Sequence, residues 1–375
     1  MKITSIEAIG LSTRTQRNVA DGSQDALLLQ IHTDAGITGI GEADTSPQIG
    51  KAVLEAPVSG DKCQGLAMQL VGEDPFDGER IWQKCFYRSY KYGRMGAALN
   101  VMSGLDIALW DLMGKALDRP VYQLLGGAVR RAVPAYSSVL FPEDPEALED
   151  VRRKANVAVE KGFTGIKFGW GSFGYDRHRD YAMVEAAREI LGPDRELMVD
   201  VGMRWDAQTA IERIETLKPL RPYWFEEPCF ADEYETYAAI AEAHPWTRIV
   251  GGEQEYNRWG FRRLMEWGKV KGIQPDLARN GGITETRKVA AIAQERGVPV
   301  FLHGWSTNIL LAANLHFIAA TPNCRWLEYC MADSPLRWTV TREELPVVDG
   351  VVSVPEGPGL GVTLNPETVE RYRIL

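Results

Sequence analysis

Leu197-Met198-Val199-Asp200-Val201, Tyr223-Trp224-Phe225-Glu226-Glu227-Pro228 and Arg248-Ile249-Val250-Gly251-Gly252-Glu253 decide how this chain is read. Each is an apolar run too short for a helix, and each closes on a carboxylate. Asp200 and Glu226 are 26 residues apart, and Glu226 and Glu253 are 27 apart. That step is the length of one strand plus one returning helix. Working outward, the pattern continues. Gly272–Gln274 is followed by Asp276, Val298–Leu302 by His303 and Trp326–Leu327 by Glu328, at steps of 23, 27 and 25 residues. Upstream lie Val133–Leu140 and Gly165–Phe168, the latter containing Lys167. Helical periodicity fills the gaps, over 145–161, 177–191, 207–217, 233–243, 259–267, 284–296 and 306–320. Eight strands alternating with seven helices predict an α/β chain whose main domain is a closed parallel (β/α)7β barrel, a modified TIM barrel. An open doubly wound sheet would carry Gly-x-Gly-x-x-Gly after its first strand, and none follows here.

The rest of the chain has a different texture. Ile3–Leu11 and Ala26–His32 alternate, and Asp34-Ala35-Gly36 turns the chain into Ile37–Glu42, a hairpin signature. Helical patterns follow at 64–71, 75–84 and 96–116, the last with Leu99, Met102, Leu105, Leu109 and Leu112 on one face. Residues 1–127 therefore read as a separate α+β domain, 128–345 as the barrel, and 346–375 as a segment returning to the first domain. A length of 375 residues suits one barrel plus a smaller partner. Apolar residues at 45% and charged residues at 25% are globular values. With 42 basic and 51 acidic side chains the net charge is −9, which repels phosphate backbones and excludes nucleic acid as a partner. No apolar run reaches the ~18 residues of a membrane span, and Met1-Lys2-Ile3-Thr4 has no signal-peptide pattern. Five scattered cysteines without C-x-x-C predict a reduced, cytoplasmic protein with neither disulfides nor a zinc knuckle.

Side chains at the C-terminal ends of barrel strands converge on one mouth. Asp200, Glu226 and Glu253 on successive strands would repel one another there, and a hard divalent cation relieves that repulsion, so these three are expected to ligate Mg²⁺. Asp276 and His303 end neighbouring strands. A carboxylate on one imidazole nitrogen fixes the tautomer and raises the basicity of the other, which makes His303 a candidate general base or acid. Lys167 is the one cation at a strand end. It either neutralises a substrate carboxylate or, with a depressed pKa, abstracts a proton. Glu328 either hydrogen-bonds a developing oxyanion as a neutral acid or sits in an ion pair. His32, His178, His244 and His316 end no barrel strand and read as structural. Together the parts describe abstraction of a proton α to a carboxylate, with metal and Glu328 stabilising the developing charge.

At this point the chain resembles the enolase superfamily, in its mandelate racemase-like subgroup, over its whole length. The resemblance rests on Leu105-Asp106-Ile107-Ala108-Leu109-Trp110-Asp111 through Leu124-Leu125-Gly126-Gly127, on Asp200, Glu226-Glu227-Pro228 and Gly252-Glu253, on Gln274-Pro275-Asp276 with His303-Gly304-Trp305, and on Leu327-Glu328-Tyr329. It implies that 1–127 is a capping domain, that Asp200, Glu226 and Glu253 are the metal ligands, and that Asp276 and His303 are the catalytic dyad. It also implies a homo-oligomer acting on a small sugar-acid carboxylate. One departure matters. Relatives often carry Lys-x-Lys on barrel strand two, whereas this chain has Lys167-Phe168-Gly169. The resemblance then implies a reaction that one base can complete: dehydration of an acid sugar to a 2-keto-3-deoxy acid. A racemase, epimerase or lactone cycloisomerase on the same site is the alternative, and a non-catalytic sugar-acid binder a remote one. In this family the capping loops set specificity, and the loop Ser12–Gln24 offers Arg14 and Arg17. Its polar, cationic character suits a hydroxylated, even doubly anionic ligand. Trp305 is expected to join them at the substrate, and Trp170, His178 and Arg204 lie where they could reach it.

Overall fold

The computed structural model describes residues 1–13 and 15–375. Three antiparallel strands open the chain: β1 (Ile3–Ser12), β2 (Asp25–Thr33) and β3 (Thr38–Ala43), paired in the order β1-β2-β3. Helices α1 (Pro47–Glu55), α2 (Ala67–Leu70), α3 (Gly78–Arg88), α4 (Ala97–Ala116) and α5 (Val121–Leu124) follow. The periodic leucines of α4 are buried against this sheet. The approach is close enough that a Cβ on Gly39 or Gly41 of β3 would lie about 2 Å from carbonyls of α4. Only glycine permits a helix backbone to rest directly on a strand backbone in this way. The helix expected over 64–71 shrinks to one turn.

The barrel begins with β4 (Ala132–Leu140) and continues through α6 (Leu148–Glu160), β5 (Gly165–Gly169), α7 (Arg177–Leu191), β6 (Glu196–Asp200), α8 (Ala207–Leu217), β7 (Trp224–Glu226), α9 (Tyr234–Ala243), β8 (Arg248–Val250), α10 (Asn257–Glu266), α11 (Gly282–Glu295), α12 (Asn308–Ala320) and β9 (Leu327–Cys330). Parallel ladders join β4 through β8, and β9 closes back on β4. Staves six and seven depart from expectation. The runs 272–274 and 298–302 form no continuous strands. Isolated rungs hold them instead, Gly251 to Ile273, Ile273 to Val300, Asp276 to His303 and Val300 to Cys324. Pro275 and Pro299 interrupt these runs, and proline has no N–H to give a ladder. The ring still closes, so the α/β barrel with an α+β cap is the observed architecture.

The cap is fastened to the barrel by buried carboxylates. Glu42, at the end of β3, accepts from Ser306, from the hydroxyl and amide of Thr307, and from the amide of Leu310 at the start of α12. Asp106 accepts from Thr284 N at 2.8 Å, on the first turn of α11. Asp111 accepts from Ile40 N and Leu360 N and pairs with Lys115 at 2.6 Å. Asp106 thus fastens the cap to the barrel, while Asp111 ties α4 and β3 of the cap to the C-terminal segment. The C-terminal segment touches both the barrel and the cap. β10 (Val351–Ser353) first pairs antiparallel with the N-terminal end of β4. Gly359 then bonds to Arg119 and Val121, and after α13 (Pro335–Thr339) and α14 (Pro366–Tyr372) have formed the side of this region, Ile374 N reaches Gly10 O at 2.8 Å. All five cysteines are free, and among the described residues no helix is long and apolar enough to cross a membrane.

Candidate active site

A cavity of about 200 Å³ opens at the C-terminal ends of the barrel strands, between the barrel and the cap. Asp200, Glu226 and Glu253 meet at or beside it. All three are buried, and each offers an oxygen within 4.8 Å of the others. Local backbone geometry selects Glu226 over its neighbour. Glu227 takes a left-handed φ of 38°, which turns its carboxyl away to the amides of Gly252 and Gln254. Burial and the facing Glu253 push the Glu227 carboxyl up to about 8, so it is a neutral support. Burial raises Asp200 and Glu226 as well, and mutual repulsion adds to it at Asp200. Burial would do the same to Glu253, but His303 and Arg279 beside it outweigh that and hold it at about 2. Three buried oxygen donors that resist joint ionisation are a fit for a hard divalent cation, which supplies the missing charge without a large cavity.

The triad is oriented from below. Lys167 Nζ lies 2.6 Å from Glu226 Oε1 and 2.7 Å from Glu328 Oε1. The Trp224 indole donates to Glu226 Oε2 at 3.1 Å, and Ser138 Oγ donates to Glu328 Oε1 at 2.6 Å. Burial opposes the charge on Lys167, but Glu226 and Glu328 outweigh it and raise the ammonium well above its ordinary value. Lys167 is thus a fixed cation in this arrangement, and Glu328 sits in an ion pair while its other oxygen accepts Gly304 N.

His303 Nδ1 is 2.6 Å from Asp276 Oδ2, across the bridge that joins the two stave ends. Its Nε2 faces the carboxylate triad, 3.2 Å from Glu253. Burial and Arg279 oppose a charged ring here, yet Glu253 and Asp276 prevail and raise it to about 9. Gly169, where relatives often carry a second lysine, leaves no room for any side chain: a Cβ would lie 2.7 Å from Asp200 Oδ2.

Several wall residues were not singled out from the sequence. Arg279, one turn after Asp276, bonds Asp44 of the cap at 2.7 Å and lies 3.5 Å from Glu253. Asp44 follows the apolar run of β3, and its cap position gave no periodic signal. Gln254 and Ser138 also line the cavity. The capping loop enters differently from expectation. Ala20 and Gly22 line the cavity, whereas Arg17 is exposed and lines neither this cavity nor its neighbour. Arg14 lies outside the described residues. Trp305 does line the cavity, with its indole N–H on Asp21 of the loop at 3.1 Å, so it forms wall and latch together. Trp170 lines the cavity too, while Arg204 lines the adjoining one, and His178 lines neither.

Comparison with known proteins agrees with this geometry. Residues 12–126 match the N-terminal domain of the mandelate racemase / muconate lactonizing enzyme family, and residues 150–368 match the enolase C-terminal domain-like family. The chain is 32% identical to D-galactarolactone cycloisomerase of Agrobacterium fabrum (strain C58 / ATCC 33970), over 100% of this chain and 99% of that protein. It is 32% identical to arabinonate dehydratase of Saccharolobus solfataricus (strain ATCC 35092 / DSM 1617 / JCM 11322 / P2), over 95% and 93%. The crystal structure of a racemase from Streptomyces coelicolor A3(2) with bound magnesium superposes with a TM-score of 0.87 at 28% identity, covering 99% of this chain and 100% of that one.

Proposed function

The chain belongs to the mandelate racemase / muconate lactonizing enzyme family of the enolase superfamily, and on that footing we propose that it dehydrates an acid sugar to a 2-keto-3-deoxy acid. In this reading 128–345 is the catalytic domain, covered by 1–127 and the returning 346–375. Asp200, Glu226 and Glu253 would hold a Mg²⁺, which when bound supplies Lewis acidity at the substrate carboxylate. Lys167, kept protonated by two carboxylates, contributes fixed positive charge near that end of the substrate. Glu253 is the main group that raises His303; with Glu253 engaged by a cation that pull would weaken and leave a neutral ring, whose Nε2 takes the α-proton while Asp276 holds Nδ1 and stabilises the imidazolium. The β-hydroxyl then leaves as water with the proton that His303 returns, and the enol tautomerises to the 2-keto acid. Glu328 and Gly304 support the mouth on the side of Lys167.

The observation that carries the reading is the one-sided base. A racemase needs a proton acceptor on each face of the α-carbon. One face has His303; on the other, Gly169 has no side chain and Lys167 is pinned in its ammonium form. The similarity to acid-sugar dehydratases supports the same reaction, and the full-length similarity to a lactone cycloisomerase supports the alternative, which also needs a single base. The test is a panel of mono- and diacid sugars and their lactones with Mg²⁺, scored for 2-keto acid. His303→Asn should lower turnover by about 10²–10⁴-fold, the usual contribution of acid-base catalysis, with Mg²⁺ binding retained. Lactone opening without 2-keto acid favours the cycloisomerase. Rapid interconversion of α-epimers in D₂O rejects both.

A further inference from the structure

A second cavity of about 620 Å³ lies beside the catalytic one. Trp170 and Ala20 line both, so one indole from barrel strand two and one residue of the capping loop divide them. Trp170 is held in this place at a cost. Its φ of 53° is left-handed, an unfavourable conformation for a bulky residue. Its ring rests on Gly202, where a Cβ would sit 2.9 Å from the indole.

The charged groups of this outer cavity are mostly engaged. Asp176 accepts the amides of His178 and Arg179 at the start of α7. Arg179 pairs with Glu146 at 2.8 Å. Arg204 is different. Its Nη1 donates to the carbonyls of Phe173 and Trp170, and its guanidinium lies 4.6 Å from the Tyr175 ring centre and 6.0 Å from that of Trp170. Among the described residues it makes no ion pair, and its Nε and Nη2 meet no acceptor. Among the described residues the catalytic cavity has no such cation to spare, since Lys167 lies between Glu226 and Glu328, and Arg279 between Asp44 and Glu253.

In a chain of net charge −9, a half-buried guanidinium with no salt-bridge partner among the described residues, the nearby Asp180 being paired with Arg213, and stacked on an aromatic wall beside the catalytic cavity, is a prepared anion receptor. Two open N–H groups on one planar fork match a carboxylate. We propose that Arg204 receives a second carboxylate at the far end of the substrate, so that the preferred acid sugars are diacids (aldarates) rather than monoacids (aldonates). This deepens the acid-sugar reading and rests on it. Glu143 lines the same cavity and opposes excess negative charge there, which favours a singly charged carboxylate over a phosphate dianion.

The test is calorimetric binding to the Mg²⁺-supplied enzyme, comparing galactarate with galactonate and glucarate with both gluconate and 6-phosphogluconate. In at least one pair the diacid should bind about tenfold or more tightly than its monoacid, the scale of one charge-assisted hydrogen bond. Arg204→Gln should collapse that ratio, and Arg204→Lys, which keeps the charge without the fork, should restore part of it. A ratio of one or below in both pairs overturns the proposal. So does an equal loss for both acids in R204Q, or tighter binding of 6-phosphogluconate than glucarate. Product assays run in parallel separate the two levels. Diacid preference without 2-keto acid formation rejects the reaction and keeps the receptor, whereas aldonate dehydration without diacid preference does the reverse. Binding of neither class rejects both.

Discussion

The mouth of the barrel and the joint between cap and barrel are built from the same material and do opposite things with it. Each gathers three buried carboxylates: Asp200, Glu226 and Glu253 at the mouth, Glu42, Asp106 and Asp111 at the joint. At the joint every carboxylate meets donors. Glu42 receives four hydrogen bonds from the start of α12, Asp106 receives Thr284 N, and Asp111 receives two amides and an ammonium. At the mouth the carboxylates crowd one another as well as meeting donors: Glu226 has Lys167 and the Trp224 indole, Asp200 has the amide of Gly202, and Glu253 has Gln254, Arg279 and His303. Residue type and burial are therefore equal, and the partner decides the role. A buried carboxylate whose oxygens are met by amides, hydroxyls or an ammonium fastens structure, as Glu42 and Asp106 do at the starts of α12 and α11. A buried carboxylate answered by other carboxylates leaves a demand for a cation.

The sharpest way to break this distinction is Glu226→Gln. At the mouth it removes a ligand and relieves repulsion. Mg²⁺ should raise the melting temperature of the wild-type protein and not of the variant, since a ligand stabilises only the fold that binds it. Turnover should be lost with it, while the metal-free variant melts close to the metal-free wild type. If E226Q unfolds as readily as a fastening variant does, the two regions are not different in kind. The matching change at the joint is Glu42→Gln, which turns an acceptor toward amides into a partial donor. Denaturant titration should show a loss of about 1–3 kcal/mol, with Mg²⁺ affinity unchanged. The smallest effect concerns His316, buried on α12 and stacked on Tyr122. Burial lowers its pKa to about 4. The unfolded chain takes up this proton near pH 6.5 and the folded one only near pH 4, so the contribution is complete above pH 6.5 and declines as pH falls through that window. Between pH 7 and 5.5 the wild type should lose about 1 kcal/mol that His316→Gln does not lose, read from the difference between their pH–stability curves.

Periodicity made much of this legible in the sequence. One strand-helix unit separates each of Asp200, Glu226, Glu253, Asp276, His303 and Glu328 from the next, so their convergence follows once a barrel is accepted. What periodicity does not mark was missed. Asp44 belongs to another domain and enters the cavity only through the docking of β3. Trp224 reads as one more apolar residue of a core strand, yet its indole holds a carboxylate. Arg17 looked suited to the mouth because loops carry no register, and the fold turns it outward while Arg204 lines the outer cavity. The expectation of eight full strands failed at Pro275 and Pro299, where the missing amides are visible in the sequence but the surviving rungs are not.

Those two weakened staves divide the barrel mechanically. From β4 to β8 the wall is laddered, and it carries Asp200, Glu226 and Glu253 at or just beyond its strand ends. From stave five round to stave eight it is stitched by isolated rungs, two of them between staves six and seven, and that arc carries Asp276 and His303. The wall therefore has a continuously laddered half and a sparsely bridged seam. The groups proposed to hold a cation stand on the laddered half, and the ring proposed to move a proton stands on the seam. Amide deuterium uptake should draw the same line, slow along β5–β8 and faster through 272–276 and 298–303, which would make the seam the direction in which this barrel breathes.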